Sequence, residues 1–396
     1  MVAGYASREF VARGVEPGAL SIISADSAPP YERPPLSKGL LAGREQLPDI
    51  LINDEGFYRD HGIELRLDTR VKLVDFAQRC LLTERGERID YEKLLIATGA
   101  RPRQLDVPGA DLDGVMLLRT VADALAIRAQ VEGARRAVTV GAGFISLEVA
   151  SVFASSGVET AMIFPEARVW ERLFTPEMSA FFERYYAERG VRIVANESLQ
   201  RFEGNLALRR AVGSGGTAVD ADIAVVGVGI EPVVDILADG GIRVDKGSII
   251  VNEYLETGVP DVYAAGDVVR YRDLLFGNHR RADHWDNAVE QGKHVARVMT
   301  GERVPFVHVP YFFSDVFDLS YEYWGDPSIA TSVVYRGDVA GGSFSAWWQR
   351  HETVVGAFVM NRPDEEREVA PQWISERMQI APEQLERAPS LRDLRV

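Results

Sequence analysis

Cysteine is almost absent from this sequence, because Cys80 is the only one among 396 residues. A single thiol cannot form an intrachain disulfide, and it excludes a Cys-x-x-Cys redox pair within the chain. Cys80 falls in an apolar run that predicts a β-strand, so we interpret it as a packed thiol. A chain without disulfides suits a reducing compartment, which favours a cytoplasmic location.

Lysine is also scarce and occurs at positions 38, 72, 93, 246 and 293 only, so arginine supplies most of the positive charge. The net charge of −15 argues against nucleic-acid binding, which depends on clustered cations that neutralise phosphates. Apolar runs stay below the roughly 18 residues that a bilayer span needs, so we predict no membrane span. We also predict no metal site. The length of 396 residues predicts two or three domains.

Residues 137–148 read AVTVGAGFISLE, a short apolar strand that leads into a glycine turn and then a helix. This pattern is typical of a dinucleotide site. Gly141 permits the tight turn, and Gly143 lets the backbone approach a pyrophosphate at the helix N-terminus. Glu166 ends the next predicted strand about 20 residues further on, where an acid binds a ribose 2′-hydroxyl.

The charge beside this ribose position bears on the choice of nucleotide. Glu166 would repel a 2′-phosphate, so we predict a preference for NADH over NADPH. Arg168 and Arg172 follow closely, and either could bind the phosphate instead. NADPH therefore stays open as an alternative.

Apolar periodicity along the chain predicts an α/β protein with two interleaved Rossmann-like domains. The predicted helices cover residues 2–13, 121–131, 144–156, 181–189 and 283–299, with short helices beginning at Ser37 and near Pro371. After Pro305 the pattern changes to aromatic-rich strands, which predict a separate C-terminal α+β domain. The predicted boundaries are 1–108 and 236–304 for an FAD-binding domain in two parts, 109–235 for an NAD-binding domain and 305–396 for the C-terminal domain.

Five segments together resemble the FAD-dependent NAD(P)H oxidoreductases, which include ferredoxin and rubredoxin reductases, apoptosis-inducing factor and monodehydroascorbate reductase. The segments are 31–39 (YERPPLSKG), 97–99 (ATG), 141–148 (GAGFISLE), 265–267 (AGD) and 310–315 (PYFFSD). The resemblance covers nearly the whole chain, and segment 31–38 is its most specific part. It implies FAD and NADH as cofactors.

The resemblance also implies roles for individual residues. Lys38 would pair with Glu148 beneath the flavin as the catalytic pair, where a positive charge favours the electron-rich reduced ring. Asp26 would bind the adenosine ribose, and Asp267 would accept hydrogen bonds from the ribityl chain. The remaining cofactor contacts would be Arg33, Val71, Thr98, Gly99, Phe144, Ile145, Arg172, Gly229, Asp283, His284, Trp285 and Phe313.

Three functions are compatible with this family. The first is transfer of electrons from NADH to a one-electron acceptor such as ferredoxin or rubredoxin, since no dithiol within the chain can receive them. The second is a monodehydroascorbate or quinone-type reductase, although Val289 stands where the ascorbate-reducing relatives carry an Arg. The third is a redox sensor with slow turnover, similar to apoptosis-inducing factor. A homodimer is compatible with each of them.

The first FAD fingerprint of the family, an apolar strand with Gly-x-Gly, is missing before Val2. A parallel sheet would then lack its central strand, and the pyrophosphate of FAD would lack backbone amides. We therefore expect the native protein to begin several residues upstream of Met1.

Overall fold

The computed structural model describes residues 1–238 and 240–394. Its helices are α1 (Val2–Ala12), α2 (Leu47–Ile50), α3 (Glu55–Asp60), α4 (Val121–Val131), α5 (Phe144–Ser155), α6 (Pro176–Glu188), α7 (Trp285–Met299), α8 (Asp364–Ser375) and α9 (Pro382–Arg387). Single 3₁₀ turns cover Pro34–Ser37, Pro327–Ile329 and Leu391–Asp393.

The strands are short in the first half of the chain and longer near its C-terminus. They are β1 (Ser21–Ile23), β2 (Glu64–Arg66), β3 (Val71–Asp75), β4 (Cys80–Thr83), β5 (Arg88–Asp90), β6 (Leu94–Ile96), β7 (Ala100–Pro102), β8 (Val115–Leu117), β9 (Arg136–Val140), β10 (Glu159–Ile163), β11 (Val191–Val194), β12 (Leu199–Gly204), β13 (Leu208–Gly213), β14 (Ala218–Asp220), β15 (Ile223–Val226), β16 (Ile230–Pro232), β17 (Val244–Asp245), β18 (Ser248–Val251), β19 (Val262–Ala264), β20 (Val269–Asp273), β21 (Asn278–Arg280), β22 (Tyr311–Val316), β23 (Leu319–Gly325), β24 (Ser332–Asp338), β25 (Ser343–Arg350) and β26 (Thr353–Met360).

The chain forms two compact units, and each is assembled from segments that alternate along the sequence. Unit 1 comprises Met1–Pro34, Gln46–Arg101 and Ile230–His308. Unit 2 comprises Pro35–Glu45, Pro102–Gly229 and Val309–Val396. This alternation is the interleaved α/β arrangement that the sequence predicts.

Unit 1 is built from small sheets around a helix pair. The parallel pairs are β1 with β2 and β6 with β19, β3–β4–β5 form an antiparallel sheet, and β17–β18–β20–β21 form a mixed one. Helices α1 and α7 pack against each other and share a core that includes Phe10, Ile249, Val269 and Val295. Every side chain of this set is at most 7% exposed, so burial of apolar surface stabilises the unit.

Unit 2 contains a five-stranded parallel sheet in the order β11–β10–β9–β15–β8. Its central strands are nearly continuous apolar runs because helices cover both faces of such a sheet. Thr120 and Asp123 form a capping box at the start of α4, which fixes where that helix begins. Helix α5 is buried along residues 146–153 and follows directly from β9 through the glycine turn.

The C-terminal part of unit 2 is an antiparallel sheet in the order β22–β23–β26–β25–β24. An aromatic core joins this sheet to helix α6 and to the loop that precedes α6. Trp170 and Phe182 contact Tyr321 with ring centroids 5.7 Å and 5.3 Å away, and Phe174 lies 5.3 Å from Phe358. Edge-to-face contacts at these distances add stability beyond their buried area.

Three predicted elements differ from the structure. Helix α6 begins at Pro176, five residues before the predicted start at 181, because Thr175 caps it by accepting the backbone N–H of Met178. Ser37 ends a 3₁₀ turn and does not begin a helix. The predicted helix near Pro371 begins at Asp364, with Pro371 inside it, because three acidic residues stabilise its first turn.

Candidate functional site

The glycine turn between β9 and α5 has the geometry of an anion site. Gly141 has φ of +118°, and an added Cβ there would lie 2.4 Å from the carbonyl oxygen of Gly227. Gly143 is exposed, and it precedes α5 without a side-chain hydrogen bond that caps the helix. The N-terminus of α5 therefore lies directly after the glycine turn, which is where a helix binds a pyrophosphate.

Glu166 lies three residues beyond β10, and its Oε2 is buried with no hydrogen-bond partner among the described residues. A buried carboxylate oxygen needs a donor, and a ribose hydroxyl is such a donor. Arg168 donates to the Glu171 carboxylate at 3.0 Å and to the backbone carbonyls of Glu171 and Phe174. Arg172 is exposed.

The first residues of α5 carry two of the predicted contacts. The half-buried ring of Phe144 packs edge-on against Phe312, with ring centroids 4.5 Å apart. Ile145 is 39% exposed, which is unusual for a large apolar side chain in this chain. Both residues follow the turn that would hold the pyrophosphate.

Lys38 and Glu148 lie together in unit 2, with 3.3 Å between Lys38 Nζ and Glu148 Oε1. Their side chains are 12% and 7% exposed. The Lys38 ammonium lies 4.4 Å from the ring centroid of Phe313, which is a cation–π contact. It also lies 3.8 Å from the carboxylate of Asp315, whose side chain is half exposed. The structure therefore brings three predicted residues, Lys38, Glu148 and Phe313, into one cluster.

The Glu148 carboxylate accepts hydrogen bonds from two serine hydroxyls. Ser37 Oγ donates to Oε2, and Ser314 Oγ donates to Oε1 at 2.5 Å. Buried charges in proteins require such paired and hydrogen-bonded surroundings. The ammonium and the two hydroxyls together give both carboxylate oxygens of Glu148 polar partners inside unit 2.

Unit 1 contains the predicted FAD contacts of the first segment. Asp26 lies three residues beyond β1 and accepts the Tyr31 hydroxyl at 2.7 Å and the Ala28 backbone N–H at 3.3 Å. The Arg33 guanidinium lies 5.6 Å from the centroid of the same Tyr31 ring. Tyr31 is 4% exposed and thus fixes both predicted residues from the interior.

The turn after β19 carries Asp267 and is tied to α7. Gln291 Oε1 accepts the backbone N–H of Gly266 at 2.7 Å. Gln291 is fully buried, yet its Nε2 has no acceptor in the part of the chain that the structure describes, and Asn287 Oδ1 has no donor there. Unsatisfied buried amides beside the turn fit a polar cofactor such as FAD.

The segment before α7 holds three predicted contacts. Burial lowers the pKa of His284 to about 4, so its imidazole is neutral near pH 7. Asp283 forms an ion pair with Arg281 at 2.8 Å. The Trp285 indole N–H donates to the carboxylate of Glu32, which orients the indole ring.

The four remaining predicted residues occupy strand ends and loops. The Thr98 hydroxyl donates to the Val233 carbonyl at 2.8 Å, and the Gly99 carbonyl accepts the Val233 N–H at 3.0 Å. Val71 begins β3 and is half-buried, whereas Gly229 is exposed directly before β16. A cofactor contact at these positions stays a prediction.

Ser314 has no predicted role, although its position on β22 is a signal that the sequence contains. Residues 312, 314 and 316 face inward on β22, so the serine is a polar residue at an inward position between Phe312 and Val316. Glu32 and Gln291 have no comparable signal, because their partners are remote in sequence.

Across residues 1–238 and 240–394, no helix combines the length and hydrophobicity of a membrane span. No group of three or more His, Cys, Asp or Glu side chains there is arranged to hold a metal ion.

Comparison with known proteins agrees with this geometry. Residues 2–292 match the family model described as pyridine nucleotide-disulphide oxidoreductase, and residues 311–395 match the one described as reductase C-terminal. Monodehydroascorbate reductase 4, peroxisomal, from Arabidopsis thaliana is 39% identical over 96% of this chain and 81% of its own length.

Two solved structures are similar over almost the full length. The ferredoxin reductase for the CYP199A2 system from Rhodopseudomonas palustris has a TM-score of 0.92 and 32% identity, covering 97% of this chain and 94% of its own. Putidaredoxin reductase, in its covalent complex with putidaredoxin, has a TM-score of 0.93 and 28% identity, covering 98% and 94%. The chain belongs to the pyridine nucleotide-disulphide oxidoreductase family, as an FAD-dependent NAD(P)H oxidoreductase.

Proposed function

We propose that this enzyme takes a hydride from NADH and passes the electrons singly to a small iron-sulfur protein. The chemistry that bound FAD supplies is acceptance of a hydride and release of single electrons. The observation that carries the proposal is the buried Lys38–Glu148 pair, with 3.3 Å between Nζ and Oε1. Lys38 would place a positive charge that favours the reduced flavin, and Glu148 would keep that charge oriented.

The cysteine content supports an external acceptor. Cys80 is the only cysteine in the sequence and is 2% exposed on β4. A redox disulfide needs two thiols, and this chain cannot form such a pair. The similarity to a ferredoxin reductase and to putidaredoxin reductase supports an iron-sulfur protein as the acceptor.

Monodehydroascorbate radical is the second candidate acceptor, and the 39% identity to the Arabidopsis reductase favours it. Val289 argues against it, because this side chain is 4% exposed on α7 and presents no charge to an anionic radical. We therefore keep the prediction from the sequence that monodehydroascorbate radical is the less favoured acceptor.

Steady-state turnover with two acceptors tests the proposal. The enzyme, NADH and either a [2Fe–2S] ferredoxin or enzymatically generated ascorbyl radical are compared at equal concentrations. We expect kcat/KM to be at least tenfold higher with the ferredoxin. A higher value with ascorbyl radical would select the second candidate, and negligible turnover with both acceptors after rapid reduction by NADH would indicate a sensor.

We also propose that NADH is preferred over NADPH. The unpartnered Oε2 of Glu166 supports a ribose with a free 2′-hydroxyl, and Arg168 is already engaged by Glu171. Glu166→Ala should lower kcat/KM for NADH about tenfold, because a hydrogen bond to a charged group contributes about 1.5–3 kcal/mol. Arg172→Ala is the matched control and should leave the preference for NADH intact. A wild-type preference for NADPH would contradict the proposal.

For the location of the enzyme we propose the cytoplasm. A single buried thiol supports a reducing compartment. Fractionation of the native host with an antibody checks the location, and recovery in an organelle or outside the cell would contradict it.

A further inference from the structure

Three elements of unit 2 surround the Glu148 carboxylate. Helix α5 carries Glu148 itself, the turn that ends at Ser37 carries Lys38 next to it, and β22 carries Ser314. Ser37 and Lys38 belong to segment 31–39 and Ser314 to segment 310–315, both of which carry the family resemblance. Ser314 comes from the C-terminal sheet, 166 residues away from Glu148 along the chain.

We propose that Ser314 is a positioning residue for the redox reaction, acting through Glu148 on Lys38. Its hydroxyl donates to Glu148 Oε1 at 2.5 Å, which is the same oxygen that lies 3.3 Å from Lys38 Nζ. This inference rests on the proposed function, because Lys38 must act on the flavin for its position to matter. It also makes the C-terminal sheet a component of the redox centre.

The burial of Ser314 restricts what its hydroxyl can do. Ser314 is 0% exposed and faces Tyr321 across the β22–β23 pair. Burial raises the pKa of Tyr321 well above its usual range, although the contact with Ser314 lowers it, so the phenol beside the serine stays neutral. Glu148 is the acceptor that the structure provides for the Ser314 hydroxyl.

The charges around Glu148 explain why one hydroxyl matters. The ionisable side chains near its carboxylate on the described elements are Lys38, Asp315, Tyr186 and Tyr321. Burial keeps both tyrosines neutral, because it raises the pKa of each well above 10. The negative charge of Glu148 is therefore shared between the Lys38 ammonium and the serine hydroxyls.

Removal of the Ser314 hydroxyl would change this sharing. Glu148 Oε1 would then interact with Lys38 alone, which would bind the ammonium more strongly and neutralise more of its charge. Less positive charge would be left to stabilise the reduced flavin. Hydride transfer should slow, and the flavin midpoint potential should become more negative.

Ser314→Ala in the holoenzyme tests the inference. We expect the rate constant for flavin reduction by NADH, measured by anaerobic stopped flow, to fall about fivefold while the Kd for NADH stays within twofold. The midpoint potential should shift to a more negative value. Ser345→Ala is the matched control, since Ser345 is also 0% exposed in the same sheet but bonds to Trp347. The control should change neither the rate constant nor the potential.

A double-mutant cycle separates a positioning role from a structural one. In a Glu148→Met background the carboxylate acceptor is gone, so adding S314A should change the reduction rate less than 1.5-fold. If E148M does not fold, Lys38→Met provides the second background, because the charge on which Ser314 acts is then absent.

Two results would overturn the inference. One is an S314A enzyme that matches S345A in rate and potential, and the other is a fivefold effect of S314A that persists in the E148M or K38M background. The proposed function fails in a different way, because the wild-type enzyme would then not be reduced by NADH.

Discussion

Among the described residues of unit 2, two buried carboxylates are paired with cations, Glu148 and Glu366. Their side chains are 7% and 1% exposed. Glu366 Oε1 contacts Arg336 at 3.2 Å and Arg362 at 2.8 Å. Arg336 also donates to the backbone carbonyls of Leu385 and, at 2.9 Å, Ala388. By burial and charge alone the two carboxylates are hardly distinguishable.

The difference lies in where the donors of the cation are used. Arg336 donates its N–H groups to Glu366 and to backbone carbonyls at the end of α9. These hydrogen bonds fix that chain segment in place. Lys38 contacts two carboxylates, the buried Glu148 and the exposed Asp315, and the half-buried ring of Phe313, and among the described residues its ammonium donates to no backbone carbonyl. Burial of an ion pair therefore does not separate the two cases, whereas the contacts that each cation makes do.

The largest effect on stability should come from Glu366→Gln. This change leaves the Arg336 and Arg362 guanidinium groups without a carboxylate, and removal of one partner of a buried pair costs about 3–5 kcal/mol. Differential scanning calorimetry should show a Tm about 5–10 °C lower. The control is Glu368→Gln, since Glu368 lies on the same helix as Glu366 but pairs with Arg392 at the exposed surface. It should shift Tm by less than about 2 °C. An unchanged Tm for E366Q would contradict a structural role for Glu366.

Lys38→Met is expected to affect flavin reduction more than thermal stability. The rate constant for flavin reduction by NADH should fall about 50-fold, which is about 2 kcal/mol of activation free energy, because the positive charge is lost. Tm should fall less than in E366Q, because the Ser37 and Ser314 hydroxyls still donate to the Glu148 carboxylate after its cation is lost. Lys72→Met, on the exposed side of β3, is the matched control for loss of one lysine. Reduction of K38M at the wild-type rate would exclude Lys38 from the mechanism.

A further ionisable group, His284 in unit 1, differs from these charged side chains because its imidazole is neutral near pH 7. Burial lowers its pKa to about 4 from 6.5. Below pH 6.5 the unfolded chain binds a proton that the folded chain does not, so stability falls as the pH drops from 6.5 towards 4. His284→Gln should remove about 1 kcal/mol of this loss, measured by urea unfolding at pH 7 and pH 4.5. The exposed control His351→Gln should keep the wild-type dependence, and equal curves for H284Q and wild type would contradict the assignment.

Local sequence signals predicted much of this fold. Helix α4 covers residues 121–131 as predicted, because a capping box between Thr120 and Asp123 depends on local sequence alone. The glycine turn was predictable because Gly141 requires a positive φ that other residues rarely adopt. The position of Pro371 inside α8 was not, because a proline more often opens a helix than interrupts it.

The candidate site was predictable only where a family motif marks it. Lys38 and Glu148 lie 110 positions apart, and the family resemblance was the reason to pair them. The partner of the Ser314 hydroxyl could be identified only from the structure. An inward serine on a strand has many possible partners, and tertiary packing selects one of them. The same holds for Glu32 and Trp285, whose contact joins distant segments of unit 1.

The smallest effect should come from Asp315→Asn, at the exposed end of the Lys38 contacts. Asp315 lies 3.8 Å from the ammonium, but its side chain is 50% exposed, so solvent screens the interaction. We expect the reduction rate to change less than threefold and the dependence on ionic strength to weaken. Asp318→Asn is the control on the same hairpin, because Asp318 is 73% exposed and pairs with Arg189. If D315N slowed reduction as strongly as K38M, the exposed carboxylate would hold the ammonium in place, and the buried Glu148 would be the more structural of its two partners.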